Sequence, residues 1–522
     1  MRPLVADMEE ARRVLRARFG HEAFLPGQEA ALGALLEGRD VLAVMPTGAG
    51  KSLLYQLPAA LGVAPVVVVS PLISLMRDQL RSLAHSGVAA VALHSGQSEE
   101  EQSEAIAGVA DGRARLVYLA PERLVQDWTV DLLCAAGVAL LAVDEAHCVS
   151  HWGHEFRPDY ARLGEIAARL GAPILAVTAT AGPRTRADIV ASLFARAPEV
   201  FVASFARPNL RLAFAPRADA LGRLTRFLRR RPGQSGVVYV NSRRKADETA
   251  AILRRLGFDA LAYHAGLDAA TRAAHQDAFF ARAGVAMVAT IAFGMGVDKK
   301  DVRFVFHADL PDSIEAYYQE IGRAGRDGLP ADALALFDPR ELVGRFGFPP
   351  PADDPIAAGE TERRRAMARL CLAPSCRFQA LLRAFGEESG RCGRCDNCRG
   401  GLLALPRRAG LVALGWRVAV LARFAGLGAE SLDEPEPEPA QSPAAAPGAS
   451  AEPKEERLSV ADERLYRRLI RLRLEIAKRR RLAPRAVASD ALLRRLAITR
   501  PCALDGETPI AAEEFLRAIA ED

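Results

Sequence analysis

The sequence predicts an α/β protein with two tandem parallel-sheet domains, then a small cysteine-bearing helical module and a helical C-terminal domain. Three observations carry that prediction. Short unbroken apolar runs alternate with helical stretches from about residue 40 to about residue 340, the runs fall into two series, and the texture changes beyond them. Runs rich in Val and Leu with no polar alternation fit strands covered on both faces of a parallel sheet. The first series is VLAVM (41–45), VVVVS (66–70), LVYLA (116–120), LLAVD (140–144) and ILAVT (174–178). The second begins after Pro208 with GVVYV (236–240), LAYH (261–264), VAMVAT (285–290), FVFHADL (304–310) and ALALF (333–337). Two such series imply two domains with a crevice between them.

Composition sets the outer limits. A chain of 522 residues is too long for one ordinary core and calls for two to four domains. Half the residues are hydrophobic and 25% are charged, as in soluble globular proteins. A net charge of only +5 means that any nucleic-acid surface is local. The first twenty or so residues break their apolar positions with charges and lack the hydrophobic core of a signal peptide. The apolar stretch 402–428 carries Arg407, Arg408, Arg417 and Arg423, so it reads as a buried or partner-facing helix and not as a membrane span. Eight cysteines, four of them clustered, do not suggest a disulfide scaffold, and the expected compartment is cytoplasmic. After that stretch comes a Pro/Ala/Glu-rich linker that cannot bury a core. From Leu458 helical spacing returns, with Leu465, Leu469, Leu472 and Ile476 on one face, and between Arg457 and Arg500 basic residues outnumber acidic ones by about ten.

The first chemical motif is Met45-Pro-Thr47-Gly48-Ala49-Gly50-Lys51-Ser52, between an apolar strand and a helix. Gly48 and Gly50 let backbone N–H groups approach phosphate oxygens without a Cβ clash. Lys51 supplies a point charge to β- and γ-phosphates, and the Ser52 hydroxyl suits Mg²⁺. Met45 stands where the general phosphate-loop pattern has its first glycine. Roughly 90 residues on, Asp144-Glu145-Ala146-His147 ends the fourth run. Asp144 can hold Mg²⁺ through water, and Glu145 can orient or deprotonate the attacking water. In the second series, Gln319–Gly328 carries Arg323 and Arg326, three apart on one helical face. Arginine reads phosphate through a planar, permanently charged fork, so a pair reaching across the crevice ties hydrolysis to its closure.

The cysteine cluster is the remaining motif. Cys392-Gly-Arg-Cys395-Asp-Asn-Cys398 contains two Cys-x-x-Cys steps, and a fourth thiolate from a nearby helix completes a tetrahedron. Four thiolates leave no open position, which points to structural Zn²⁺. Cys376 and Cys371 compete as the fourth ligand. Cys134, Cys148 and Cys502 read as ordinary buried thiols.

Taken together, in order, these residues resemble a RecQ-family DNA helicase of the second large helicase superfamily over about residues 15 to 400. Besides the motifs above, the likeness rests on Phe24-Leu-Pro-Gly-Gln28, Ser70–Gln79, Ala120–Arg123, Ser150–Tyr160 and Thr178-Ala-Thr180. It continues through Phe205-Ala-Arg-Pro-Asn209, Tyr263–Leu267 and Ala289–Asp298. The resemblance implies two RecA-like domains, residues 1–207 and 208–342, a zinc module at 343–400, the apolar helix and linker at 401–457, and a basic helical domain at 458–522. That last segment resembles a degenerate form of the family's small C-terminal helical domain, the one shared with RNase D. ATP and Mg²⁺ are the implied cofactors, alongside zinc. Gln28 looks like the glutamine that reads adenine, with Thr47 to Ser52 around the phosphates. Arg326 looks like the finger, with Arg323 beside it. His147, Trp152, Phe156 and Arg157 look like the residues that couple DNA to hydrolysis. An aromatic ring grips any base for roughly 1–3 kcal/mol without reading sequence. The family pattern favours Cys376 over Cys371.

The implied activity is ATP-dependent 3′-to-5′ movement on single-stranded DNA with duplex unwinding in recombination or repair, by a monomeric, nucleoid-associated motor. Its partners would be single-stranded and forked DNA, with no membrane. The departures are specific. Fewer than sixty residues separate Cys398 from the basic tail, so the family's winged helix and strand-separating hairpin are expected to be absent. Structure-specific fork binding by a wing therefore does not carry over, and an ATP-fuelled translocase or annealing factor is the alternative. Leu25 replaces an arginine, and Ala49 replaces a glycine that is tolerable if its φ is negative.

Overall fold

The unbroken apolar runs become parallel strands. In the computed structural model the described residues are 7–71, 73–150, 158–293, 299–346 and 355–399, with scattered helical positions between 465 and 496. By chain contacts the protein divides into Met1–Glu434 and Pro435–Asp522.

The first sheet contains β1 (Val41–Val44), β2 (Val66–Val69), β3 (Ala90–Leu93), β4 (Leu116–Leu119), β5 (Leu140–Val143), β6 (Ile174–Thr178) and β7 (Glu199–Val202). Their order is β3-β4-β2-β5-β6-β1-β7, every pairing parallel. The second sheet contains β8 (Leu210–Pro216), β9 (Gly236–Tyr239), β10 (Ala260–Tyr263), β11 (Ala286–Ala289), β12 (Phe304–His307) and β13 (Ala331–Phe337). Its order is β10-β11-β9-β12-β13-β8, again wholly parallel.

Both faces of each sheet are covered, and the strand period of two explains how. Leu42, Val44, Val67 and Val69 enter one apolar cluster, while Val41, Ala43, Val66 and Val68 enter another. In the second sheet Val237 and Tyr239 face one side and Val238 and Val240 the other. Strands buried on both faces have no use for polar alternation, so the runs are continuous.

Three strands escape that rule and are absent from the sequence-based expectation. β3, β7 and β8 are all sheet edges. β7 and β8 alternate more- and less-buried positions, as edges with one covered face do. The remaining edge, β10, is legible as LAYH.

In the C-terminal unit, Leu465, Leu469 and Ile476 are helical and buried, Leu472 is partly buried, and Arg468 and Arg479 are exposed. The apolar face read from the sequence is present there. The apolar stretch 402–428 and the linker, on which the expected loss of a winged helix turns, lie outside the described residues. Among the described residues no helix is long and apolar enough to cross a membrane.

Candidate functional site: a cleft between two sheets and a four-cysteine centre

The carboxyl ends of β1 and β5 are where an open parallel sheet can bind a ligand, because the loops diverge there. A cavity of about 810 Å³ opens at that edge and is closed from the other side by the second lobe. Its lining includes Thr47, Gly48, Gly50, Lys51 and Ser52 after β1, Asp144 and Glu145 after β5, and Gln319, Arg323 and Arg326 from the second lobe.

The loop after β1 is shaped by its glycines. Gly48 and Gly50 have φ of +87° and +68°, a region that disfavours any Cβ. A Cβ on Gly50 would also meet Gln28 Nε2 at 2.5 Å. Ala49 is not among the positive-φ residues, which meets the condition set for its replacing a glycine. Gln28 is buried, and its Nε2 donates to Ala49 O and Gly50 O at 3.0 Å each, while Oε1 accepts from Leu25 N at 2.8 Å. The glutamine expected at the adenine thus also braces the loop. Leu25, 47% exposed, lines the same end of the cavity.

Lys51 Nζ donates to Met45 O at 3.2 Å. Burial lowers its pKa, and the nearby Glu145 and Asp144 carboxylates oppose that. Asp144 is buried, and that burial, with Glu145 beside it, pushes its carboxyl up to about 6. Asp144 accepts from Tyr55 Oη at 3.3 Å and from Glu145 N at 2.9 Å. A buried carboxylate with few protein donors is suited to a cation, which would restore the charge it lacks.

Glu145 has φ of +48° and is the non-glycine residue with positive φ among those described. A strained backbone at a catalytic candidate costs roughly 1–3 kcal/mol and persists only where its surroundings enforce it. Here it turns the chain from β5 into a 3₁₀ turn, Ala146–Val149. His147, buried in that turn, places Nδ1 3.3 Å from Glu145 Oε2 and 2.9 Å from Thr178 Oγ1. Thr178 Oγ1 donates to Thr180 O at 3.3 Å, and Gln319 Nε2 donates to Thr180 Oγ1 at 3.2 Å. A hydrogen-bonded path therefore runs from His147, whose Nδ1 is within ion-pair distance of Glu145, to the helix Ile314–Ile321, which leads to the arginines.

Arg323 is buried, and its Nε donates to Tyr239 Oη at 2.7 Å. Arg326 lies against the phosphate loop, its Cγ 3.9 Å from where a Cβ on Gly48 would stand. Both lie past the helix end at Ile321, in a turn and not on the helical face that their spacing predicts, and that turn is held from behind. Arg207 Nη2 donates to Ala324 O at 2.9 Å and Gly325 O at 3.1 Å, and Asn209 Nδ2 donates to Gly325 O at 2.7 Å. Gly325 itself has φ of +62°.

The structure therefore gathers Gln28, Lys51, Asp144, Glu145, Arg323 and Arg326 at one cleft, with His147 behind it. Trp152, Phe156 and Arg157 lie outside the described residues. Sequence reading assigns no role to Tyr239, Thr180, Gln319, Arg207 or Asn209. The last two sit in a quoted motif, but nothing local reveals that they brace a turn more than a hundred residues away.

The second centre is the cysteine cluster. Cys376 caps the helix Arg377–Ala384, and the sulfurs of Cys376, Cys392, Cys395 and Cys398 all lie within 4.8 Å of one another. Tetrahedral thiolates about 2.3 Å from Zn²⁺ sit about 3.8 Å apart. The Cys376–Cys395 and Cys392–Cys398 pairs are each 4.0 Å apart. Backbone N–H groups of Cys392, Cys395 and Arg377 point at these sulfurs, at 3.3, 3.3 and 3.4 Å. Burial opposes the Cys376 thiolate, but the donors from Cys392 and Gln379 win and bring its pKa down to about 7. The residues fit structural Zn²⁺, and the sulfur gathered with those of Cys392, Cys395 and Cys398 is that of Cys376, while Cys371 is buried outside the group. Metal analysis of purified protein should return about one Zn²⁺ per chain; a metal-free, folded protein would refute the site.

This module is fixed to both lobes. Arg377, fully buried, pairs with Asp396 at 3.0 Å, and Asp396 accepts from Phe214 N in β8 at 2.8 Å. Glu387 accepts from Ser204 Oγ at 2.6 Å and Phe205 N at 2.7 Å, between β7 and β8. Phe385 stacks on Phe205, centroids 4.5 Å apart.

Comparison with known proteins agrees with this geometry. Family models match as DEAD/DEAH box helicase over residues 25–189, helicase conserved C-terminal domain over 219–328 and RecQ zinc-binding over 351–399. The chain is 42% identical to ATP-dependent DNA helicase RecQ of Pasteurella multocida, covering 74% of this chain and 61% of that one. It is 41% identical to the Haemophilus influenzae protein of the same name, covering 76% and 65%. For the Bacillus subtilis one the identity is 37%, covering 75% and 67%. The match thus spans about two thirds of those relatives' length. Among solved structures, Mycobacterium smegmatis helicase Lhr bound to ssDNA and AMP-PNP superposes with TM-score 0.53 at 22% identity, covering 66% of this chain and 49% of that one. DEAD-box helicase Mss116 bound to ssRNA gives 0.55 at 17%, covering 66% and 75%. At those identities the likeness is one of fold.

Proposed function

Because the chain belongs to the RecQ family, we propose that it is an ATP-dependent DNA helicase, moving 3′ to 5′ on single-stranded DNA and separating duplex in recombination or repair. The observation that carries this is the cleft, where Lys51, Asp144 and Glu145 of one lobe face Arg323 and Arg326 of the other. On this reading residues 1–207 and 208–342 are the two motor domains.

Lys51 and the loop N–H groups hold the β- and γ-phosphates; Ser52 and Asp144 would hold Mg²⁺, which would offset phosphate charge. Glu145 orients the attacking water and accepts its proton. Arg326 meets the charge that develops on the γ-phosphoryl group, so turnover requires the lobes to close. The path through His147, Thr178, Thr180 and Gln319 makes the position of Glu145 sensitive to that closure. Energy enters the DNA step as a difference in affinity between closed and open forms. Trp152, Phe156 and Arg157, just beyond His147 in sequence, would stack on and grip the strand.

The test is hydrolysis of ATP with single-stranded DNA, duplex DNA or RNA, followed by unwinding of a 3′-tailed duplex. Stimulation by single-stranded DNA with unwinding is expected. Stimulation without unwinding would favour the translocase or annealing reading, and no response to any polynucleotide would eliminate a motor. In the same assay Trp152→Ala should lower DNA-stimulated hydrolysis about tenfold or more while sparing the basal rate. An equal loss of both would make Trp152 a core residue.

A further inference from the structure

Away from the cleft, the second lobe and the cysteine module enclose a basin of about 630 Å³ that shares no lining residue with it. Arginines enter from four directions. β8 supplies Arg211, and the segment before β12 supplies Arg303. The helix Ala220–Arg229 and the turn after it supply Arg223, Arg226, Arg230 and Arg231. The cysteine loop supplies Arg394 and Arg399.

Against these stand two carboxylates, Asp332 and Asp396, both already committed. Asp332 pairs with Arg211 at 2.7 Å and with Arg231. Asp396 pairs with Arg377, and Arg303 is taken by Asp327 at 2.6 Å. Arg223, Arg226, Arg230, Arg394 and Arg399 have no carboxylate partner among the described residues. Helix electrostatics account for part of this, since Arg226 and Arg229 in the last turn suit the helix dipole. They do not account for Arg223 near the amino end, for like charges stacked three and four apart, or for Arg394 and Arg399 arriving from a separate module.

Arginines without a carboxylate partner, spread across one basin, suit an extended polyanion. Single-strand sites combine cations with exposed aromatic faces on which bases stack. Among its described residues this basin offers no open ring, because Phe227 lies under the Arg231 guanidinium at 3.6 Å and packs on Phe304 and Phe306. Duplex DNA needs no ring, since its bases are already stacked and it presents phosphate charge at about one per 1.7 Å of axis. We propose that this basin grips the sugar–phosphate backbone of duplex DNA, at a place separate from the nucleotide cleft. The inference rests on the DNA-motor reading for its choice of polyanion.

The test uses the full chain with Arg226, Arg230 and Arg399, all exposed, changed together to alanine. Binding of a short blunt duplex and of an unpaired single strand is measured over a series of KCl concentrations, beside zinc content and single-strand-stimulated hydrolysis. The duplex Kd should rise by about tenfold or more, and the slope of log K against log salt should flatten by about 2.7, roughly 0.9 for each phosphate that is no longer neutralised. Zinc content and stimulated hydrolysis should hold at the parental level. An unchanged duplex Kd and slope overturn the proposal, and so does an equal loss of single-strand binding, which would place the basin on the single-strand track. A parent that binds duplex but shows no stimulated hydrolysis would sink the motor reading and leave the basin standing.

Discussion

Lys51→Ala should reduce ATP hydrolysis by at least about 10²- to 10³-fold, the scale seen when one preorganised group is removed from developing transition-state charge. Lys51 sits between β1 and the helix Leu53–Ala60, close enough to Asp144 and Glu145 for both to bear on its charge. Its Nζ rests on Met45 O, a neutral acceptor, so reorientation towards phosphate breaks no ion pair. Alanine removes a cation that no neighbouring loop residue replaces. Steady-state phosphate release with saturating single-stranded DNA measures the loss, and far-ultraviolet circular dichroism shows whether the sheet is intact. More than about a tenth of parental turnover in a folded variant would mean that the loop does not cradle the γ-phosphate.

Arg326→Ala is expected to be as severe by a different route. An arginine that meets transferring phosphoryl charge contributes about 10³- to 10⁵-fold to kcat. Arg326 is placed for that task against Gly48, whereas the Nε of Arg323 is occupied by Tyr239. The loss should fall on kcat and leave affinity for a non-hydrolysable ATP analogue within a few-fold, since the first lobe supplies the phosphate loop. A kcat within tenfold of the parent would transfer the role to Arg323, where the same substitution and the same two readouts apply.

What can be read from the sequence follows from where the information lies. The phosphate loop, the Asp144–Glu145 pair and three of the four zinc cysteines are each contiguous, and their chemistry is set by residues a few positions apart. The central strands are legible because burial on both faces leaves an unmistakable run, as in VVVVS at 66–70. β7 and β8 are not, because an edge with one covered face mixes Glu199 or Arg211 among its apolar positions. The supports of the site are hidden for another reason. Tyr239 is the end of an apolar strand until the fold brings Arg323 to its hydroxyl, and Thr180 acquires Gln319 only when two lobes meet. Such partners are set by tertiary proximity, which spacing does not encode.

The grip of Glu387 and Phe385 on residues 204 and 205 bears on how the engine is geared. Any swing of one lobe against the other must be absorbed where the polypeptide crosses between them, after Val202 and before Leu210, and rotation concentrates at whichever few bonds are left free to turn. With one flank of that crossing clasped by Glu387 and Phe385, the turning is left to the bonds beyond residue 205. On the proposed motor reading, loss of zinc from the cysteine centre would slacken that clasp and spread the rotation over more bonds, so that less of each closure would reach the DNA.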